Sequence, residues 1–161
     1  FIGDVNIHQK PSSIELANIA IGVAQNARKL GFIPKVAILS YSNFGNPSGS
    51  NTKTINECLK ILEDKKVSFE FDGEMTAEVA LDYNLIKENY PFCKLSGPAN
   101  VLIMPDLYSA NISFKLLQKM ENLSVIGPIM IGGNNPFQIV QMGASVSDIV
   151  NSACISTYNS L

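Results

Sequence analysis

A loop rich in hydroxyl groups is the first candidate for chemistry. Residues 40–50 read Ser-Tyr-Ser-Asn-Phe-Gly-Asn-Pro-Ser-Gly-Ser and follow a short apolar run directly. The hydroxyls of Ser40 and Ser42, the side-chain amide of Asn43 and the backbone N–H groups could together hold a phosphate. The spacing is not that of a Walker motif, and an ordinary solvent loop has the same composition. Both interpretations stay open, and composition favours the solvent loop.

Three carboxylates form a second candidate. Glu74, Glu78 and Asp82 recur every four residues. That spacing places them on one face of a helix if Asp72-Gly73 turns the chain before them. A row of carboxylates can bind a metal ion or serve in acid–base catalysis. More often such a row is the solvated face of an amphipathic helix, and the pattern favours that interpretation.

Two short apolar runs end in residues that could approach a ligand. Residues 101–104 are Val-Leu-Ile-Met, followed by a proline, small polar residues and Asn111. Residues 125–133 form a second apolar run, interrupted by Gly127-Pro128. Short continuous apolar runs are typical of buried parallel strands, and ligands of α/β sheets bind beyond the carboxyl ends of such strands. Asn111, Gly127 and Pro128 are therefore candidate ligand-binding residues.

Strands and helices alternate along the chain, which predicts an α/β fold with a mostly parallel sheet sandwiched by helices. The first helix should begin with a capping box of Ser12 and Glu15 and end at Gly31. The last helix should open with Ser145 and Asp148, which have the same spacing. The predicted strands are 1–7, 35–39, 67–71, 101–104 and 125–133, and a helix is predicted over 52–65.

Composition argues against several classes of function. The chain has 12 Lys and Arg against 14 Asp and Glu, a net charge of −2 and no basic run, so a nucleic-acid or anionic membrane surface is not expected. Its three separated cysteines fit a reduced, cytoplasmic protein, and they form no usual zinc site with His8. No apolar run approaches the ~20 residues of a membrane span. The sequence begins at Phe1 inside a predicted strand, so we expect it to be part of a longer protein.

Several motifs in order give the chain a resemblance to a known family. It resembles the phosphotransacetylase (phosphate acetyl/butyryltransferase) family, and the similarity covers nearly the whole chain. The Ser-Asn-Phe-Gly at 42–45 points to one branch, the phosphotransacetylase-like C-terminal region of bacterial NADP-dependent malic enzymes, because stand-alone transacetylases usually have Ser-Thr-Lys-Gly there. The segments that carry the resemblance are 1–6, 36–45, 71–81, 99–107, 109–112, 115–116, 126–129 and 145–151.

The resemblance implies a fold and a site. The family transfers an acetyl group between coenzyme A and phosphate in a cleft between two α/β subdomains. Residues 1–161 would be a fragment of such a domain, with 1–140 as the second subdomain and 141–161 as a closing helix that packs on a first subdomain outside this sequence. Acetyl-CoA would be the ligand, and the ligand-binding residues would be Ser40, Ser42, Asn43, Asn111, Gly127 and Pro128.

One departure from the family pattern bears on catalysis. Gln141 and Met142 stand where the family has serine and arginine. Arginine could bind phosphate or the thioester oxygen through charged, bidentate hydrogen bonds, which methionine cannot form. Asp148 keeps the position of the family's proposed base for the coenzyme A thiol. It could equally be a structural member of the capping box with Ser145, and the loss of arginine favours that interpretation.

The resemblance therefore implies a regulatory module. It would bind acetyl-CoA or acetyl phosphate without turnover, contact its own N-terminal malic enzyme domain and support a homo-oligomer. Oxidative decarboxylation of malate to pyruvate, with NADP and a divalent metal, would belong to upstream residues, since the chain has no G-x-G-x-x-G. The alternatives are a working phosphate acetyltransferase, with Asp148 as catalytic residue, and a purely structural module that holds subunits together.

Overall fold

The computed structural model describes residues 1–4, 6–47 and 52–159, with the backbone alone for Asn159. Residues 48–50 of the hydroxyl-rich loop lie outside the described residues. The chain divides into two compact units, 1–111 and 112–161, and each is described by itself. In the part of the chain so described, no helix is both long enough and apolar enough to cross a bilayer.

The first unit is built on a four-stranded parallel sheet. Strands β1 (Ile2–Gly3), β2 (Lys35–Leu39), β3 (Glu70–Met75) and β4 (Val101–Ile103) lie in the order β1-β4-β2-β3, and every neighbouring pair is parallel. This confirms the predicted α/β fold. The helices are α1 (Ser13–Lys29), α2 (Thr52–Asp64), α3 (Ala77–Leu81), α4 (Tyr83–Asn89), α5 (Leu107–Lys119) and α6 (Val146–Asn159).

Local sequence explains the limits of α1. Ser12 is its N-cap, the Ser12 hydroxyl accepts a hydrogen bond from Glu15 N–H, and the Glu15 carboxylate accepts one from Ser12 N–H, so the predicted capping box is confirmed. Gly31 follows the C-cap with a φ of 88°, a conformation that glycine adopts without the steric cost that a Cβ adds.

The sheet is buried on both faces because β2 is apolar at every position after the first. Val36 and Ile38 point into one core with α1 and α2, while Ala37 and Leu39 point into the other, with Met75 and the short helices α3 and α4. Alternation of side chains along a strand divides them in this way between the two faces. The carboxyl ends of the strands are thereby held rigidly at one edge of the sheet.

A strand exists near the predicted range 67–71, but its bounds and the turn expected after it were wrong. The strand runs over Glu70–Met75 and includes Asp72 and Gly73, which were expected to form a turn. Tertiary contacts allow charged residues inside the strand, since the Asp72 carboxylate accepts hydrogen bonds from the N–H groups of Gly73 and Lys94 at 2.9 and 2.7 Å. A Cβ on Gly73 would lie 2.7 Å from the carbonyl oxygen of Ile38, so only glycine permits this approach of β3 to β2.

The predicted row of carboxylates does not exist. Glu74 lies in β3, Glu78 lies in α3, and Asp82 is the N-cap of α4, where it accepts hydrogen bonds from two backbone N–H groups. The spacing of four residues was real, but the chain is not one helix over this range. The three side chains therefore have separate roles.

The second unit holds the end of α5, an irregular segment and α6. No strand is found among residues 125–133, so the strand predicted there was wrong. Gly127-Pro128 lacks one backbone donor, because proline has no N–H. A side chain takes the place of a neighbouring strand: the Gln138 amide accepts a hydrogen bond from Met130 N at 2.9 Å and donates one to Met130 O at 3.3 Å.

Candidate functional site

The residues after β2 are held by the end of β3. Ser40 N–H donates to Met75 O at 2.9 Å, and Phe44 N–H donates to Glu74 O at 2.7 Å. The Asn43 side-chain oxygen accepts a hydrogen bond from Thr76 N at 2.8 Å. These bonds continue the β2–β3 pairing beyond the strands and fix the described part of the loop, residues 40–47, at the carboxyl edge of the sheet.

Ser40 and Ser42 are brought together by this arrangement. Their hydroxyl oxygens lie 3.1 Å apart, and Ser42 Oγ donates to Glu74 Oε1 at 2.6 Å. Ser42 is only 1% exposed. Its hydroxyl is therefore used inside the protein, where it shapes the loop, while Ser40 is half-buried at the rim.

Glu74 is a site residue that the sequence analysis placed wrongly. It is 1% exposed, and its Oε1 also accepts a hydrogen bond from Thr52 Oγ1 at 3.0 Å. Its Oε2 is buried, and none of the described residues provides a hydrogen-bond partner for it. Burial of a carboxylate is unfavourable unless hydrogen bonds compensate for lost water. The sequence analysis did not identify Glu74 as buried, because carboxylates spaced every four residues are typical of the solvated face of a helix.

Three aromatic rings lie beside the loop. Phe44, which has a φ of 50°, packs against Tyr90 and Phe92 with ring centroids 5.1 and 4.9 Å apart. Phe92 is 65% exposed. The Ser-Asn-Phe-Gly motif thus joins a polar cluster on one side to an aromatic cluster on the other.

Asn111 lies at another position on the same edge of the sheet. Its side-chain Nδ2 donates to the side-chain oxygen of Asn6, which follows β1, at 3.1 Å. Nearby, Gln9 donates to the hydroxyl of Tyr108 at 2.7 Å. Since β4 separates β1 from β2, Asn111 and the Ser40–Ser42 pair belong to different parts of this edge.

A cavity of about 250 Å³ opens in the first unit. Gln9 and Lys10 line it after β1, Thr54 lines it from the first turn of α2, and Asp106 and Tyr108 line it at the start of α5. It contains one cationic and one anionic side chain among neutral donors and acceptors. None of the residues predicted as ligand-binding lines this cavity.

His8 and Asp4 form a pair that the sequence analysis did not find. The His8 Nδ1 contacts Asp4 Oδ2, which also accepts the His8 N–H at 2.9 Å. Burial alone would raise the pKa of Asp4, but hydrogen bonds from His8 and from Ile7 N–H outweigh it and hold that pKa below its usual value. Asp4 thus serves as an ionised anchor for the residues after β1.

The remaining predicted site residues lie in the second unit. Gly127, with a φ of 131°, and Pro128 lie in its irregular segment. Asp148 Oδ2 accepts hydrogen bonds from the hydroxyl and the N–H of Ser145 at 2.8 and 2.9 Å, and Asp148 N–H donates back to Ser145 Oγ at 3.2 Å. The side-chain bond, followed by the backbone bond, lowers the pKa of Asp148. Among the residues the structure describes, no group of three His, Cys, Asp or Glu side chains could hold a metal ion.

The comparison with protein families decides the identity of the chain. A family model described as phosphate acetyl/butaryl transferase matches residues 1–157. The chain belongs to this family.

Relatives in the phosphate acetyl/butaryl transferase family include two kinds of enzyme. The chain is 49% identical over 158 residues to the NADP-dependent malic enzyme of Rhizobium meliloti (strain 1021), a match that covers 98% of the chain and 21% of that relative. It is 38% identical over 154 residues to the phosphate acetyltransferase of Helicobacter pylori (strain J99), which covers 96% of the chain and 30% of that enzyme. The chain thus spans well under half of these curated relatives.

Solved structures of the phosphate acetyl/butaryl transferase family have the same fold. The phosphotransacetylase of Streptococcus pyogenes superposes with a TM-score of 0.91 at 30% identity, over 99% of this chain and 48% of that one. The EutD phosphotransacetylase of Staphylococcus aureus gives a TM-score of 0.90 at 30% identity, over 99% of this chain and 50% of that one. The chain spans about half of each solved structure.

Proposed function

We propose that this chain is the phosphotransacetylase-like C-terminal region of an NADP-dependent malic enzyme, and that it binds acetyl-CoA as a regulatory ligand without transferring its acetyl group. The similarity to malic enzymes over nearly the whole chain supports the first part. The observation that carries the second part is Met142. This side chain is fully exposed and stands where the resemblance leads us to expect arginine.

Acetyl transfer needs a group that stabilises developing negative charge. Such stabilisation is often the largest single contribution to the rate, and loss of one donor typically costs ~10²–10³ in kcat. The thioether of Met142 has no donor. Asp148 would be the base for the thiol, but the hydrogen bonds from Ser145 lower its pKa, and a lower pKa makes it a weaker base.

Binding of acetyl-CoA without acetyl transfer requires neither stabilisation of developing charge nor a base. The Ser40–Asn43 segment and Asn111 lie at the carboxyl edge of a parallel sheet, where ligands of α/β folds bind. In this proposal Ser40 and the exposed parts of the loop contact acetyl-CoA, while the buried Ser42 holds the loop in shape. The malic enzyme part, which uses NADP and a divalent metal on malate, would respond because acetyl-CoA prefers one of two states of the whole homo-oligomer.

A second candidate function is phosphate acetyltransfer. It is favoured by the match to a phosphate acetyltransferase over 96% of the chain and by the solvent-exposed carboxylate of Asp148. In that case Asp148 would accept the thiol proton of coenzyme A. A cationic side chain elsewhere would supply the positive charge of the arginine that Met142 replaces.

Two measurements on one sample of the full-length protein separate these functions. Isothermal titration with acetyl-CoA measures binding, and a coupled assay measures acetyl phosphate formation from acetyl-CoA and phosphate. We expect binding without product, together with changed malate oxidation kinetics. Product formed by the wild type and lost in Asp148→Asn would establish the acetyltransferase, and absence of binding would contradict both functions. Ser147→Ala, on the same helix, is the control.

A further inference from the structure

The carboxylate of Glu74 joins the first part of the hydroxyl-rich loop to helix α2. Ser42 lies in that first part and Thr52 begins α2, and both donate their hydroxyls to the same oxygen, Oε1, at 2.6 and 3.0 Å. Glu74 is itself 1% exposed. A single buried acceptor therefore closes the base of the loop from both sides.

Backbone hydrogen bonds at the end of β3 also hold the loop in place. Phe44 N–H donates to Glu74 O, Ser40 N–H donates to Met75 O, and Thr76 N–H donates to the side chain of Asn43. Within the described residues the loop is thus built on residues 74–76. The backbone bonds do not reach α2, but the carboxylate does, so in the part of the chain that the structure describes Glu74 couples the loop to that helix.

We propose that Glu74 is the positioning residue of the ligand-binding loop. Its carboxylate holds Ser42, and with it the neighbouring Ser40, Asn43 and Phe44, in the arrangement that receives acetyl-CoA. The ligand part of this inference rests on the proposed function. The positioning part rests on the hydrogen bonds of Ser42 and Thr52 alone.

The chemistry of the two carboxylate oxygens makes the inference testable. An ionised carboxylate only accepts hydrogen bonds, and the two hydroxyl donors both use Oε1. Glutamine keeps an oxygen at that position, so Glu74→Gln retains both bonds and places an amino group where Oε2 has no partner among the described residues. Alanine removes both bonds. If Oε2 instead accepted a donor from the ligand, glutamine would abolish binding as fully as alanine.

Hydrogen exchange and acetyl-CoA titration of the full-length protein test the proposal. In Glu74→Ala we expect the amides of Asn43, Phe44 and Asn46 to exchange at least about tenfold faster and acetyl-CoA to bind about 10–100-fold more weakly, as expected for loss of hydrogen bonds to a charged group. Glu74→Gln should stay within about threefold of wild type in both measurements. Glu78→Ala removes an exposed carboxylate on the next element and is the control.

Two outcomes would overturn the proposal. Unchanged exchange in a folded Glu74→Ala protein would show that the carboxylate does not hold the loop. Loss of binding in Glu74→Gln with normal exchange would make Glu74 a ligand contact instead. If Glu74→Ala does not fold, Ser42→Ala and Thr52→Val each remove one of the two hydroxyl bonds to Glu74 and should each speed exchange of the same amides. If wild type does not bind acetyl-CoA, the proposed function fails, while the exchange comparison still decides the role of Glu74.

Discussion

At the scale of single residues, hydrogen bonding sets what each polar group can do. Ser42 donates a hydrogen bond to Glu74 in the interior, whereas Asp148 is bonded to Ser145 at the start of α6. The same carboxylate chemistry gives a loop anchor in one place and a helix cap in the other. Burial distinguishes them, since Glu74 is enclosed and Asp148 is exposed.

The capping box of α6 predicts a pH effect. Ser145→Ala removes the hydroxyl bond, so the pKa of Asp148 should rise toward its usual value. A carboxyl with a lowered pKa in the folded state contributes stability above its usual pKa and loses it as pH falls through the lowered one. We therefore expect the wild-type protein to be more stable than Ser145→Ala at neutral pH, and this difference in the free energy of unfolding to shrink at acid pH. NMR titration of the Asp148 carboxyl measures its pKa, and unfolding at several pH values measures the difference in stability. If the substitution left the pKa of Asp148 unchanged, the hydrogen bond from the Ser145 hydroxyl could not be the cause of the lowered pKa.

The three cysteines should differ in reactivity. Burial raises the pKa of Cys58 to about 12, and burial, reinforced by Asp72, raises that of Cys93 to about 11. Cys154 is exposed. Because the thiolate is the reactive form, alkylation at neutral pH should modify Cys154 first and Cys58 last, measured by mass spectrometry of digests over time. In denaturant the three cysteines should be alkylated at similar rates. Early modification of Cys58 in the folded protein would contradict the expected order of reactivity.

At the scale of elements, the edge of the sheet depends on how closely β2 and β3 approach. The register between them shifts at Ile38/Leu39, opposite Gly73. The shift leaves Glu74 without a partner position in β2 and lies directly before Ser40, the first residue after that strand. A local irregularity in pairing thus places Glu74, the loop anchor, beside the start of the loop.

Gly73→Ala should be strongly destabilising. The new Cβ would lie 2.7 Å from a backbone oxygen, which cannot rotate away, so we expect a loss of about 3 kcal/mol, at the upper end for overpacking. Gly31→Ala is the matched control, since it meets no atom within 4 Å but keeps a φ of 88°, and should cost about 1 kcal/mol. Denaturant unfolding measures both, and equal losses would show that the close approach to Ile38 is not limiting.

At the scale of the whole molecule, the proposed regulation by acetyl-CoA makes a thermodynamic prediction. If acetyl-CoA changes the affinity for malate by some factor, malate must change the affinity for acetyl-CoA by the same factor. We expect this reciprocity in titrations of the full-length protein with each ligand at saturation of the other. Glu74→Ala should lower acetyl-CoA affinity with little change in malate affinity when acetyl-CoA is absent. If neither ligand changed the affinity for the other, the coupling would be contradicted.

Elements whose signals are local can be predicted from the amino-acid sequence. Capping boxes at Ser12 and Ser145, the stop at Gly31 and the apolar run of β2 follow from hydrogen bonds and hydrophobicity within a few residues, and ordered motifs indicate the family. The position of Glu74, buried in a strand rather than on the solvated side of a helix, depends on long-range contacts. The reason is that its partners, Ser42 and Thr52, lie 32 and 22 residues away. Residues 125–133 form no strand, and within that range the backbone N–H and carbonyl of Met130 bond to the side chain of Gln138 instead.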